Sequence, residues 1–192
     1  MAERRADYPI HELFLRRWSP RAMSGEALTR EELCTLFEAA RWAPSSGNGQ
    51  PWRFVYALAG TIEFRAFFEL LAAGNQPWCA KAGGLVVVAS RHQRANGQPA
   101  RTHAFDTGAA WASLALQGTV MGLVVHGMEG FDYERAAGII GLPEGHAVHA
   151  MIALGKPGRV EDLPEPYRER ERPSSRLPAS DWAFAGRFPV GS

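Results

Sequence analysis

The chain has 192 residues, enough for one domain of ordinary size with a substantial core. Hydrophobic residues make up 46% and charged residues 21%, which excludes a disordered or fibrous chain. The formal net charge of +1 gives no electrostatic reason to expect a nucleic acid or a membrane surface as partner.

Residues 8–17 read as a short helix. Its apolar run is interrupted by His11 and Glu12 and is too short for a secretory signal, so a cytoplasmic protein is expected. Residues 24–28 read as a loop. Thr29 then opens a clear helix, because Thr29-Arg30-Glu31-Glu32 fits a capping box. Leu33, Leu36, Phe37 and Ala40 recur at helical spacing and define one apolar face. Cys34 lies in this apolar stretch and is expected as a small buried hydrophobe rather than a nucleophile. With Cys79 it makes a total of two cysteines, too few for a disulfide framework.

Pro44 ends the helix and biases Ala43 toward extended geometry. A polar loop over 45–51 leads to a strand over 53–58, and residues 61–73 have helical spacing through Ile62, Phe64, Phe67, Phe68 and Leu71. The wholly apolar run 85–89 reads as a central strand, and 91–102 as a polar loop. Residues 107–125 carry no charge and approach the length of a membrane span, but Ser113, Gln117, Thr119 and three glycines argue for a buried central helix. Its small residues would let another helix approach closely, within one subunit or across a dimer axis. A short helix over 131–141 and a strand over 147–154 follow.

Beyond Val160 the periodicity stops, and the Glu-Arg run over 165–172 reads as a solvated segment. Yet Leu177, Trp182, Phe184 and Phe188 are large apolar groups that call for burial, so residues 160–192 are expected to form an arm packed on something, such as a partner subunit. The whole, 1–192, reads as one α+β domain. No Gly-x-Gly-x-x-Gly or phosphate loop is present, so a phosphate-bearing cofactor must be held by other means.

Two constellations carry chemistry. In Arg17-Trp18-Ser19-Pro20-Arg21, two guanidinium groups flank a hydroxyl, a donor set suited to phosphate. A solvated basic turn explains it too. In Pro44-Ser45-Ser46-Gly47-Asn48-Gly49-Gln50-Pro51-Trp52, amide side chains offer donors and acceptors together, matching the pyrimidine edge of a flavin, while glycines allow close backbone approach. An ordinary helix-to-strand turn accounts for the prolines and glycines, but less well for Asn48 with Gln50.

Taken together with their spacing, these motifs resemble the nitroreductase family of FMN enzymes. Met128-Glu129-Gly130-Phe131-Asp132, Ile152-Ala153-Leu154-Gly155-Lys156-Pro157 and Ser174-Ser175-Arg176-Leu177-Pro178 agree more loosely. The resemblance implies a layered sandwich, a mostly antiparallel sheet flanked by helices, in an intertwined homodimer with two FMN sites at the interface. By position, Arg17 and Ser19 (with Trp18 between them) would hold the phosphate. Arg21 would lie by the N1 and O2 edge of the flavin. Pro44, Ser45, Ser46, Asn48 and Gln50 would reach the flavin from the other subunit, Glu129 and Gly130 would sit by N5, and Arg176 would close on the phosphate. The implied activity is ping-pong electron transfer from NADH or NADPH to an organic acceptor such as a nitroaromatic or quinone, with no metal. Trp18 and Met23 depart from the family pattern, and 91–102 is short where larger members build a helical lid.

Other flavin chemistry (enal reduction, dehalogenation, flavin cleavage) and a non-enzymatic flavin store remain as alternatives. A store would bind FMN without oxidising a nicotinamide, and a protein whose motifs are coincidental would bind none. His146 and His149 have the spacing of a helical metal pair, but on a strand a three-residue offset separates their faces. His126 reads equally as a site residue or an interior histidine bonded to backbone.

Overall fold

In the computed structural model, residues 4–94 and 96–189 are described. The elements in chain order are α1 (Glu12–Arg16), α2 (Arg30–Arg41), β1 (Trp52–Leu58), α3 (Ile62–Phe68), α4 (Gln76–Cys79), β2 (Gly84–Arg91), α5 (His103–Val120), β3 (Val124–Met128), α6 (Tyr133–Ile139), β4 (His146–Gly155) and α7 (Glu165–Arg168). Short 3-10 turns occur at Ser46–Asn48, Val160–Asp162 and Ala179–Asp181. Among the described residues the strands form one antiparallel sheet in the order β1-β2-β4-β3.

Side-chain alternation on the central strands divides the core into two layers. Leu85 and Val87 of β2 and Met151 and Ala153 of β4 face one layer, which Phe67, Leu70, Leu71, Trp78, Phe131 and Ala136 fill. Val86 and Val88, with Ile152 and Leu154, face the other, formed by α2 and α5 through Leu33, Leu36, Ala40, Ala110 and Leu114. A strand covered on both faces must be apolar at every position, which is why 85–89 has no polar residue.

The start of α2 follows its sequence. Thr29 Oγ1 accepts from the Glu32 amide at 3.1 Å, and a Glu32 carboxylate oxygen accepts from the Thr29 amide at 2.8 Å. Such a cap contributes about 1 kcal/mol. Cys34 differs from expectation: it is exposed, because the apolar stripe of α2 runs through Leu33, Leu36 and Ala40 and leaves position 34 on the outer side.

The central helix also differs. It begins at His103, four residues earlier than its uncharged stretch, and ends at Val120; Val124 and Val125 belong to β3. Gly122, at φ +70°, makes the turn between them. The small residues bring α5 close within its own chain: a Cβ on Gly118 would lie 2.3 Å from Cγ2 of Val125 and 3.6 Å from Cδ2 of Leu36. No described helix is long and apolar enough to cross a membrane.

Candidate functional site

A cationic pocket of about 280 Å³ forms where the loop after α1 meets β3 and the C-terminal segment. It is lined by Arg4, Arg17, Trp18, Ser19, Arg21, His126, Arg170, Arg172, Ser174 and Arg176, with no carboxylate among them. Of the residues that the sequence offers for a cofactor, Arg17, Trp18, Ser19, Arg21 and Arg176 thus come together, although Arg176 lies far along the chain.

Backbone ties fix this cluster. One guanidinium nitrogen of Arg4 donates to the carbonyls of Leu15 (2.9 Å) and Arg17 (2.6 Å), and its Nε donates to Ser174 O at 3.0 Å. Glu171 Oε1 accepts from the amides of Arg21 (2.7 Å) and Ala22 (2.8 Å). The run over 165–172 is therefore not simply solvated: Glu171 fastens the Arg17–Arg21 loop, and Arg170 and Arg172 face the pocket. Trp78, buried behind the loop, carries the Arg21 guanidinium 5.8 Å from its ring centroid and the His126 ring at 4.5 Å.

The electrostatics show an excess of positive charge. The Arg17 pKa is lowered by burial and by the charges of Arg176 and Arg4. His126 is pushed down to about 4, chiefly by burial and further by Arg21 and Arg17, against hydrogen bonds to backbone that favour its charged form. Its Nδ1 lies 2.9 Å from Pro20 O, and a carbonyl can only accept, so the hydrogen sits on Nδ1. His126 is both an interior histidine bonded to backbone and part of the pocket wall. Mutually repelling guanidinium groups, with Ser19 and Ser174 as neutral donors, fit a phosphate dianion.

Pro44, Ser45, Ser46, Asn48 and Gln50 do not line this pocket within one chain. Their loop is exposed apart from half-buried Ser45 and is internally braced. Ser45 Oγ accepts from the Gln50 amide at 3.1 Å, and the Gln50 side-chain amide donates to Asn48 Oδ1 at 3.1 Å. Asn48 (φ +53°) and Gln50 (φ +42°) occupy the left-handed region, a strain of the kind held at functional sites. The loop is anchored by Asp106 in the first turn of α5. This carboxylate, only 6% exposed, accepts from the Ser46 amide and from Thr102 Oγ1, each at 3.1 Å.

Glu129 lines a second, mostly apolar cavity of about 330 Å³, between α5 and the sheet, with Val88, Thr107, Gly108, Trp111, Gly127 and His149 among its walls. Gly130 lies at the end of β3, where its carbonyl accepts from the Asn75 side chain at 2.9 Å and from the Ala72 amide at 2.9 Å.

Sequence reasoning missed Arg4, Arg170, Arg172, Glu171, Asn75 and Asp106. The arginines and Glu171 sit in runs whose alternating charge looks like solvated surface. Asn75 and Asp106 are single polar residues whose partners are 55 and 60 positions away, which no local pattern reveals.

Comparison with known proteins decides the family. The profile described as "Nitroreductase family" matches residues 15–69 and 57–156. The chain belongs to the nitroreductase family. A solved structure titled as an oxidoreductase containing FMN superposes with a TM-score of 0.92 at 45% identity, covering 97% of this chain and 96% of that one. A 15.4 kDa protein of Mycolicibacterium smegmatis is 36% identical over 69% of this chain and 88% of its own length. A protein of Thermus thermophilus named NADH dehydrogenase is 31% identical over 80% of this chain and 82% of its own.

Proposed function

We propose that this nitroreductase-family chain is an FMN-dependent oxidoreductase that takes electrons from NADH or NADPH and passes them to an organic acceptor, a nitroaromatic or quinone, in a ping-pong cycle. The observation that carries the reading is the carboxylate-free pocket of Arg4, Arg17, Arg21, Arg170, Arg172 and Arg176 around Ser19 and Ser174, in a chain 45% identical to an oxidoreductase containing FMN. Two free cysteines, one of them exposed, suit the reducing cytoplasm.

When bound, FMN supplies the redox chemistry, taking hydride from the nicotinamide and returning electrons to the acceptor. The chain's own residues bind and orient. Arg17, Ser19 and Arg176 hold the phosphate, and Trp18 closes that end. Arg21, fixed by Glu171 and Trp78, presents positive charge along the edge where negative charge gathers on reduction. Glu129 and Gly130 offer backbone at the reactive end, with Asn75 holding the Gly130 carbonyl.

The second half of the reading is a homodimer. Phe105 on α5 is 80% exposed, and Trp182 and Phe188 on the arm are 65% and 76% exposed, a cost that a partner surface would remove. In that assembly the loop 44–52 of one subunit reaches the cofactor of the other, which explains a braced and strained loop outside its own chain's pocket, and the far part of the arm, with Leu177, Trp182 and Phe188, packs on the partner. The single 1–192 domain is part of the same reading.

The test is the visible spectrum of purified protein, repeated anaerobically with NADPH or NADH, together with sedimentation equilibrium. Flavin bands that bleach, in a protein of twice the chain mass, are expected. No flavin after reconstitution with FMN would overturn the reading.

A further inference from the structure

Away from the arginine pocket, three of the six histidines gather at one end of the sheet. Ser90, near the end of β2, is fully buried, and its Oγ lies 2.7 Å from Nδ1 of His103 and 2.6 Å from Nε2 of His149. The His92 ring lies 5.9 Å from that of His103.

The fold builds this arrangement with a β-bulge. Val88 pairs with Ala150 but Ala89 pairs with Val148, so His149 is the extra residue of β4. Val148 packs on one layer of the core and Ala150 on the other. The bulge turns His149 to the α5 side, where Ser90 meets it. Bulges next to sites commonly re-aim one side chain in this way.

Counting hydrogens orders the chain. A hydroxyl has one proton, so Ser90 donates to only one of the two rings and accepts from the other. Burial, and then the neighbouring His103, lower the pKa of His149 and favour its neutral ring. Of that ring's two tautomers, the one with Nε2 as acceptor is the one that the relay proposed below uses. Ser90 Oγ–H then donates to His149 Nε2, and His103 Nδ1–H donates to Ser90. His149 carries its own hydrogen on Nδ1, which has no hydrogen-bond partner among the described residues. The ring forms part of the wall of the 330 Å³ cavity. On that same wall Trp111 Nε1 is buried without an acceptor. Gly127 permits the indole's position, since a Cβ there would come within 2.9 Å of the ring. Two N–H donors without acceptors, in a mostly apolar cavity whose one carboxylate is Glu129, ask for ligand oxygen.

We propose that His103, Ser90 and His149 form a proton relay into this cavity, serving a carbonyl or quinone acceptor whose oxygen faces His149 and Trp111. The proposal rests on the reductase reading for its electrons, which reach the acceptor as hydride. The accompanying proton comes from His149: its Nδ1–H bond breaks as an O–H bond forms on the acceptor. Ser90 passes its proton to Nε2, and His103 restores the Ser90 hydroxyl from Nδ1–H. As it gives up Nδ1–H, His103 takes a proton from solvent on its other ring nitrogen, so one hydride and one proton reduce the carbonyl; His149 is left as the Nε2–H tautomer, and exchange with solvent returns the relay to its starting state.

The test uses FMN-loaded protein with ¹⁵N-labelled histidine, in the oxidised state without nicotinamide, and menadione as the probe. His149 is expected as the Nδ1–H tautomer, and its Nδ1–H resonance moves on adding menadione. In stopped flow, Ser90→Ala and His103→Gln slow flavin reoxidation by menadione about 100-fold more than flavin bleaching by the nicotinamide, the contribution typical of a positioned acid. An Nε2–H tautomer at His149, a resonance indifferent to menadione, or equal slowing of both half-reactions would each overturn the relay. Failure to bleach with either nicotinamide would instead sink the reductase reading, and the tautomer and menadione shift would still judge the relay. Should Ser90→Ala not fold, His103→Gln carries the kinetic comparison.

Discussion

His126 makes the flavin-free protein sensitive to mild acid. Its ring is buried against Trp78, donates to Pro20 O, and faces the charges of Arg21 and Arg17. The pKa falls from 6.5 in the unfolded chain to about 4 in the fold. Between those values the unfolded state binds a proton that the folded state refuses. Stability from this group is therefore complete above about pH 6.5, declines as the pH falls through the window, and is exhausted below about pH 4. At 1.36 kcal/mol per pH unit, the loss over the window is about 3 kcal/mol. His126→Asn keeps a side-chain N–H for Pro20 O and does not titrate. It loses the contact with Trp78, which lowers stability by a constant amount at every pH. Urea unfolding of both proteins in phosphate-free buffer, from pH 7.5 to 4.5, should give stability curves that converge toward acid by about 2.5 kcal/mol. Other groups with lowered pKa, His149 and Glu32, contribute alike to both proteins and drop out of the difference. Curves that stay parallel would refute the buried, cation-flanked account of His126.

Three further outcomes follow from the geometry. Arg17→Gln should weaken FMN binding by about 2 kcal/mol, roughly 30-fold, while leaving riboflavin affinity nearly level, because a charge-assisted phosphate contact is what it loses; fluorescence titration with both flavins measures it, and equal losses would remove Arg17 from the phosphate. Asp106→Ala releases the Ser46 amide and Thr102, so the loop 44–52 should loosen and FMN affinity should drop about tenfold, read by titration together with protease cleavage within the loop. Gly118→Ala places a methyl 2.3 Å from Val125 Cγ2 and should destabilise by about 1–3 kcal/mol in urea without changing flavin content per folded molecule.

What was legible in the sequence is what local physics dictates. Thr29 and Glu32 announce their helix because a capping box is satisfied within four residues. The run 85–89 announces a covered strand because a doubly packed strand tolerates no polar side chain. The stretch from 107 to 125 hid its own division: an apolar run does not distinguish buried helix from buried strand, and the break rested on Gly122 alone. Its true start was hidden as well. His103 and Asp106 stand before the uncharged stretch, and Ser90 and Ser46 satisfy them.

The candidate site divides along the same line. Arg17, Ser19 and Arg21 were readable because they sit within five residues, whereas the groups that hold them in place come from other elements. Glu171, from a charge run with the composition of open surface, accepts two amides of the Arg17–Arg21 loop and leaves Oε2 buried without a partner. Arg170 and Arg172 flank it in sequence and face the pocket. A carboxylate placed there keeps the loop closed while four arginines from elsewhere in the chain crowd it, and it does so without lining the pocket, so the anion attraction of the site survives. Alternating charge in this tail thus sorts into two jobs, one residue tying backbone and its neighbours presenting charge. Only the fold, by bringing 171 to 21 and 176 to 17, separates them.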